Sequence, residues 1–453
     1  IMVNNHICEI QIVFGIMLVA RTGLDGHVVY NKLRNAVELK AYLRAQEETR
    51  QQKQAAAARA CPKGDKLLSE DVKVATAAAK EVAAATLGAA TAAAQQLASK
   101  DGTLAACLEM LEKTEDEDVM EVGSQVVRYI ALTSHAESLS ERQAACLSNG
   151  APATMARVLL KSARPAVHVH AVYALISMTF LGDEGKAACL TANVVESLVD
   201  MVGKSSHDGA NEAACCLLNN LANSDEGRSV CIYYCVPDCM IDVIDKTSHD
   251  GVLRLACQAL GNIAVSAEGK AACVASGAPA ALVAALGKSS KDGVLENACK
   301  ALVNIAVSAE GKAACVASGA PAALVAALGK SSHDGVLRWA CQALVNITVS
   351  AEGQAACVAS GVPAAAVAAL GKSSNDGVLE NACKALVNIA VSAEGKAACV
   401  ASGAPAALVA ALGKSSNDGV LENACRALVN IAVSDEGKSV CIYYCVPDCM
   451  IDV

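Results

Sequence analysis

The sequence predicts an all-α solenoid built from three-helix units stacked one on another. A Ser-x-Asp-Gly tetrad ends at Gly209, Gly251, Gly293, Gly335, Gly377 and Gly419, always 42 residues apart. Self-similarity at such a period is the signature of a repeat array. The 453 residues exceed what one compact core holds, and 54% are apolar while only 2% are aromatic. A core of Ala, Val, Leu, Ile and Cys lets helices approach closely but gives each unit little area to bury, so a unit depends on its neighbours.

One unit, Glu310 to Ser350, shows the parse: EGKAACVASGAPAALVAALGKSSHDGVLRWACQALVNITVS. The first helix is predicted over Glu310–Ser318, closed by Gly319 in the manner of a glycine C-cap. Pro321 falls in the first turn of the second helix, where its missing N–H costs nothing. That helix runs through ALVAAL and is expected to stop at Gly329. Ser331, Ser332 and Asp334 are expected to supply capping oxygens for the third helix, which spans about Gly335 to Val349. Its residues Leu337, Ala340, Cys341, Leu344 and Ile347 fall on one apolar stripe.

Between 251 and 434 the copies are nearly identical. Divergent copies run from Glu141 to Thr179 and from Asp183 to Asn223, and a weaker third-helix match covers Val119 to Thr133. The array is therefore set at 119–453, truncated in its last unit. Residues 66–118 read as an Ala-rich helical capping region. Residues 1–65 read as an N-terminal segment, irregular apart from a polar helix over 31–60, and its first part as a fragmentary or misread leader not native to the array. The string SVCIYYCVPDCMIDV occurs at 229–243 and again at 439–453. Since the first copy continues as IDKTSHDGVLRLACQAL, the protein is expected to continue similarly past Val453.

A unit of 42 residues that joins GAPAALVAAL to VLENACKALVNIA resembles the armadillo repeat family. The resemblance covers roughly 120–453 and is closest over 209–434. It implies a right-handed superhelix whose third helices line a concave groove. It also implies that the groove takes extended peptides or acidic partner segments, and that the recurrent Asn of the third helix contacts them.

The residues themselves place that Asn on a second stripe, opposite the core: Asn297, Lys300 and Asn304 lie at i, i+3 and i+7. It recurs as Asn220, Asn262, Asn304, Asn346, Asn388 and Asn430, so stacked units form a ladder of amides. Helices pack ~8–10 Å apart and two residues of extended peptide advance ~6.6 Å, so two or three peptide residues pass each rung. An Asn side chain both donates and accepts, which makes the ladder a sequence-tolerant clamp. The bland alternative is that these amides bridge neighbouring helices.

Four residues before the Asn lie Gln258, Lys300, Gln342, Lys384 and Arg426; seven before lie Leu255, Asn297, Trp339, Asn381 and Asn423. Three cations and no acid in this stripe favour a protein segment carrying Asp, Glu or phosphate. Trp339, the one tryptophan, is either an anchor in the groove or a ring packed for stability. Nuclear-import adaptors of the family carry a Trp four residues before the Asn, with acids nearby. That column is missing here, so an importin-like adaptor is the second reading, and a structural spacer without a groove ligand the third.

Other chemistries find little support. The net charge is −9 and no basic block stands out, which disfavours nucleic acid. The 22 cysteines of a long chain read as reduced thiols rather than a secreted disulfide scaffold, which points to the cytoplasm or nucleus. Most recur every 42 residues inside helices, as small hydrophobes. Cys231, Cys235 and Cys239 follow the repeat's own spacing, without a CxxC knuckle, so no metal is expected. His207, His249 and His333 exchange with Lys291, Asn375 and Asn417 at one turn position, unlike a catalytic base. No P-loop, GxSxG or HExxH is present, so neither enzyme nor cofactor is expected. The apolar run Ile10–Ala20 is shorter than a membrane span.

Overall fold

The computed structural model describes residues 103–132 and 136–444. The readings of residues 1–65, of 66–102 and of the repeated string at 445–453 lie outside them. The chain divides into two units, Ile1–Met110 and Leu111–Val453. Of the first, only 103–110 are described, as the start of the helix Thr103–Lys113. Every regular element among the described residues is helical.

From Glu117 onward the second unit repeats one three-helix pattern. In the copy parsed above the helices are Ala309–Ala317, Ala320–Lys330 and Asp334–Ile347. First helices pack on first, second on second and third on third from one copy to the next. The divergent stretches follow suit: Glu117–Leu132 packs against Pro165–Thr179, which packs against Asp208–Leu221.

Local chemistry fixes each corner. Ser308, not singled out from the sequence, caps the first helix: its Oγ accepts from Gly311 N–H at 3.0 Å. A Cβ on Gly311 would lie 1.9 Å from the Ile305 carbonyl oxygen, so only glycine lets the first helix settle on the end of the preceding third helix. Gly319 then turns the chain with φ of 76°, in the left-handed region. The corner bends the chain by 72° here, and by 73–74° in the other three near-identical copies. Among the described residues no single helix is long and apolar enough to cross a membrane.

Two expectations at the next corner are corrected. The second helix does not stop at Gly329 but runs to Lys330, because glycine permits a left-handed turn without forcing one. Lys330 Nζ reaches the preceding copy, donating to Leu286 O at 2.6 Å and Ser289 O at 3.2 Å. The lysine thus closes off carbonyls where the neighbouring second helix ends. Lys288, Lys372 and Lys414 do the same.

Of the expected third-helix caps, Ser331 and Asp334 act elsewhere. Ser331 Oγ accepts from His333 N–H at 2.9 Å, in the turn, and donates to Asp292 of the preceding copy at 2.6 Å. Asp334 in turn accepts from Ser373 at 2.6 Å. Capping side chains come instead from the variable turn residue where its chemistry allows. Asn375 and Asn417 accept from Gly377 and Gly419 N–H, and His207 from Ala210 N–H.

The predicted core stripe is buried: Leu337, Ala340, Cys341, Leu344 and Ile347 are all fully enclosed. So are the repeated thiols Cys257, Cys299, Cys341 and Cys383.

The two glycines separate two kinds of constraint. Gly319→Ala meets nothing within 4 Å and should cost only the left-handed backbone, about 1 kcal/mol. Gly311→Ala must push the first helix off the Ile305 carbonyl and should cost about 3 kcal/mol. Urea unfolding of the two variants checks the order; equal losses would contradict the close approach.

Candidate functional site

The third helices leave one face open to solvent. Lys300, Lys384 and Arg426 are exposed on it, Gln258 and Gln342 half-buried. The recurrent Asn residues, Asn220 to Asn430, are all half-buried beside them. Sequence phase therefore brings the named residues to one face, but the amides do more there than line it.

Each amide nitrogen reaches the preceding third helix. Asn304 Nδ2 donates to Gly261 O at 2.9 Å, Asn346 to Val303 O at 3.1 Å, Asn388 to Val345 O at 3.3 Å and Asn430 to Val387 O at 3.2 Å. The cause lies in the helix end. A helix leaves its last carbonyls without an internal partner. In the copy ending at Ile347, Leu344 O accepts from Thr348 N–H, Asn346 O from Val349 N–H and Ile347 O from Ser350 N–H. Val345 O is left for the next copy's Asn388, shared with the Thr348 hydroxyl at 2.9 Å. At the divergent end the partners change: Asn262 donates to Asn219 Oδ1 at 2.8 Å and Asn223 Oδ1 at 2.9 Å, and Asn220 to Thr179 Oγ1 at 3.4 Å. The Asn ladder thus ties copy to copy. Each amide spends a donor on that contact; Asn262 and Asn388 reach two acceptors each, and Asn346 Oδ1 accepts from Gln342 Nε2 at 3.2 Å, so the groups left over differ from rung to rung.

The row seven residues earlier is tied more locally. Asn297, Asn381 and Asn423 donate to Gly293, Gly377 and Gly419 O of their own helices, at 2.7–2.9 Å, and Leu255 is buried. Trp339 is half-buried. Lys300 Nζ of the preceding copy lies 5.7 Å from its ring centroid and Arg338 Cζ 5.1 Å, within cation–π range. The ring thus meets two cations and is part packed, part open.

The stripe drawn from the sequence omits the row one residue earlier: Arg254, Glu296, Arg338, Glu380 and Glu422, none of them buried. So acids do border the stripe. Glu296 Oε2 lies 3.7 Å from His333 Nδ1 of the next copy, and Glu212 Oε2 3.9 Å from His249 Nδ1. The two histidines follow a glutamate in the preceding copy, a pairing hidden when the turn residues are compared alone. Also unmarked were Val265, Val307, Val349 and Val391. Three residues past each Asn, they stand 52–64% exposed, an apolar edge recorded in the repeated valine of IAVS.

The thiols form no such surface. Burial pushes Cys257 and Cys341 up to about 12, far from the thiolate that nucleophiles and metal ligands need. Cys231 is buried, Cys239 half-buried and Cys235 exposed. Among the described residues no group of three or more His, Cys, Asp or Glu is placed to hold a metal ion.

Residues 266–307 and 392–433 match the model of the armadillo/beta-catenin-like repeat. A crystal structure of an engineered protein superposes with a TM-score of 0.66 at 27% identity, over 84% of this chain and 90% of the other. A designed armadillo repeat protein is 26% identical with a TM-score of 0.46, covering 52% of this chain and 99% of its own. No curated protein matches.

Two measurements follow. Asn304→Ala should lower stability by about 1 kcal/mol by orphaning Gly261 O, whereas exposed Lys384→Ala should stay within about 0.5 kcal/mol; no loss at Asn304 would remove the amide from the inter-copy bond. Alkylation at pH 8 should label Cys235 in the folded chain, with Cys257, Cys299 and Cys341 labelled only on unfolding, as read by mass spectrometry.

Proposed function

Because the chain is built of armadillo repeats, we propose that it is a non-enzymatic interaction scaffold, cytoplasmic or nuclear, holding an extended acidic or phosphorylated segment of a partner protein along its third helices. The observation that carries this reading is the row of exposed Lys300, Lys384 and Arg426, with Gln258 before them and Gln342 among them, beside half-buried amides. The cations draw a negative segment in. The amide groups not engaged between or within copies address its backbone without regard to sequence, and the valine edge offers apolar contact. Glu296, Glu380 and Glu422 leave the cation excess modest, so the attraction is one of steering and preference rather than of tight charge pairing.

One observation favours the spacer reading. The Asn donors are engaged between copies, so the ladder has a structural role whether or not a segment lies on it. Binding separates the two.

The probe is a fluorescein-labelled extended peptide of alternating glutamate and phosphoserine, read by anisotropy. Wild-type chain should bind it saturably and more weakly as salt rises. Lys300→Glu, Lys384→Glu and Arg426→Glu together should weaken binding by about tenfold, three screened contacts of about 0.5 kcal/mol each. Unchanged affinity in the triple variant would place the segment elsewhere; no binding by the wild type would leave the spacer.

A further inference from the structure

The interface between the copies at 183–223 and 225–263 is built differently from the rest. Asn211 stands where Leu253, Leu295, Leu337 and Leu379 are fully buried. On the second helix Asp238, Cys239 and Asp242 stand where the next copy has Ala280, Ala281 and Ala284. At the corner Cys235 takes the left-handed position of Gly277, with φ of 54°. These five departures line one cavity of about 440 Å³, with Asp208 at its rim.

Asn211 gives the cavity its meaning. Its side chain replaces a core leucine and is 8% exposed. Asn211 lines the cavity; its Nδ2 donates to Ser205 O at 3.3 Å, but its Oδ1 is buried without a donor. A buried acceptor in that state destabilises the fold, and leucine, used in the copies that follow, would avoid it. The unmet requirement is for an N–H or O–H from something that enters.

The charges say what kind. Asp208, Asp238 and Asp242 face one cation, Lys246, whose Nζ is 3.6 Å from Asp242. Thr247 Oγ1 takes up one Asp208 oxygen at 3.0 Å. An excess of carboxylate, all of it exposed, remains in a lining shared with buried Asn211, with Val202 and Val243 as apolar wall. Nothing among the described residues is arranged to ligate a metal. The volume lies in the range of small-ligand sites.

We propose that this cavity binds an organic cation with N–H donors on an alkyl stem, an alkylammonium or guanidinium group. One N–H meets Asn211 Oδ1, the charge lies toward Asp238 and Asp242, and the stem lies on the valines. Such a group arrives on a free diamine or agmatine, or on the side chain of a lysine or arginine from another chain. The site is distinct from the third-helix face and of opposite charge preference. The repeated string at 439–453 offers the same Asp and Cys residues, but Leu421 stands 210 positions after Asn211, so one site per chain is expected.

Calorimetric titration of the full chain with agmatine, putrescine and the blocked peptide Gly-Gly-Arg-Gly-Gly tests this. Saturable binding of one equivalent is expected. Asp238→Ala with Asp242→Ala, which restores the alanines of the next copy, should weaken it at least tenfold. Asn211→Leu should abolish it while the Tm holds or rises, which excludes misfolding as the cause. Asp245→Ala, on the same helix outside the cavity, should change nothing. Tighter binding of the free amines marks a small-molecule site; tighter binding of the peptide marks a partner's side chain. Absence of saturable binding by all three probes, or full affinity in either the double aspartate variant or Asn211→Leu, would overturn the proposal.

Discussion

Consecutive third helices meet through alanine, cysteine, valine and leucine, and their closeness governs the rest of the array. Val303, Val345 and Val387 are buried, whereas the same valine in the last described third helix, Val429, is 54% exposed. Small side chains bring the backbones near enough for an amide on one helix to reach a carbonyl on the next. That reach turns a weakly apolar contact into a directed one. Around it Lys288, Lys330, Lys372 and Lys414 and the Ser–Asp bonds across the same four turns repeat the device, so these copies satisfy polar groups that their neighbours leave open. A unit of nine-, eleven- and fourteen-residue helices has few such partners of its own, which is why the array and not the unit is the folding entity.

The same geometry limits what the open face can do. An amide held to a neighbouring carbonyl has lost freedom already, so a backbone that bonds its remaining groups meets a pre-ordered partner. It has also lost a donor, so the face recognises less than six unencumbered asparagines would. The structural role of these residues is therefore no rival to the proposed binding role; it would set the orientation on which that role depends.

Much of this was legible in the sequence, because period and phase are written in it directly. The tetrads gave the copy length, the αL glycines the corner, and the spacing of Leu337, Ala340, Cys341, Leu344 and Ile347 the buried face. What escaped is what phase within one helix cannot carry. Phase puts Asn304 on the open side but does not reveal that Gly261 O lies 2.9 Å away. It could not show that Ser331 would bond Asp292, since that depends on how two copies abut. Gly329 misled because a glycine permits a turn and the chain need not take it. Ser308 and Asn211 are different: a cap before Ala-Glu-Gly and an asparagine in a column of leucines are both visible once the copies are aligned, and both needed only that comparison.

Near-identity of the copies raises a question of register that only their departures can answer. The strings at 292–306 and 376–390 are the same, DGVLENACKALVNIA. A segment lying along the third helices and displaced by two copies, ~16–20 Å or five to six extended residues, meets Lys384 where it met Lys300. The charges and amides of these two rungs do not distinguish the positions. In the copies between, the same displacement exchanges Leu255 for Trp339, and this changes the surface most. Leu255 is buried, while Trp339 is half-buried with two cations on its ring. An apolar or aromatic side chain of the segment can stack there and nowhere equivalent along the described array. In the proposed complex, sequence-tolerant rungs and one singular aromatic would divide the labour: the repeated residues would supply attraction at every offset, and Trp339 would select among offsets.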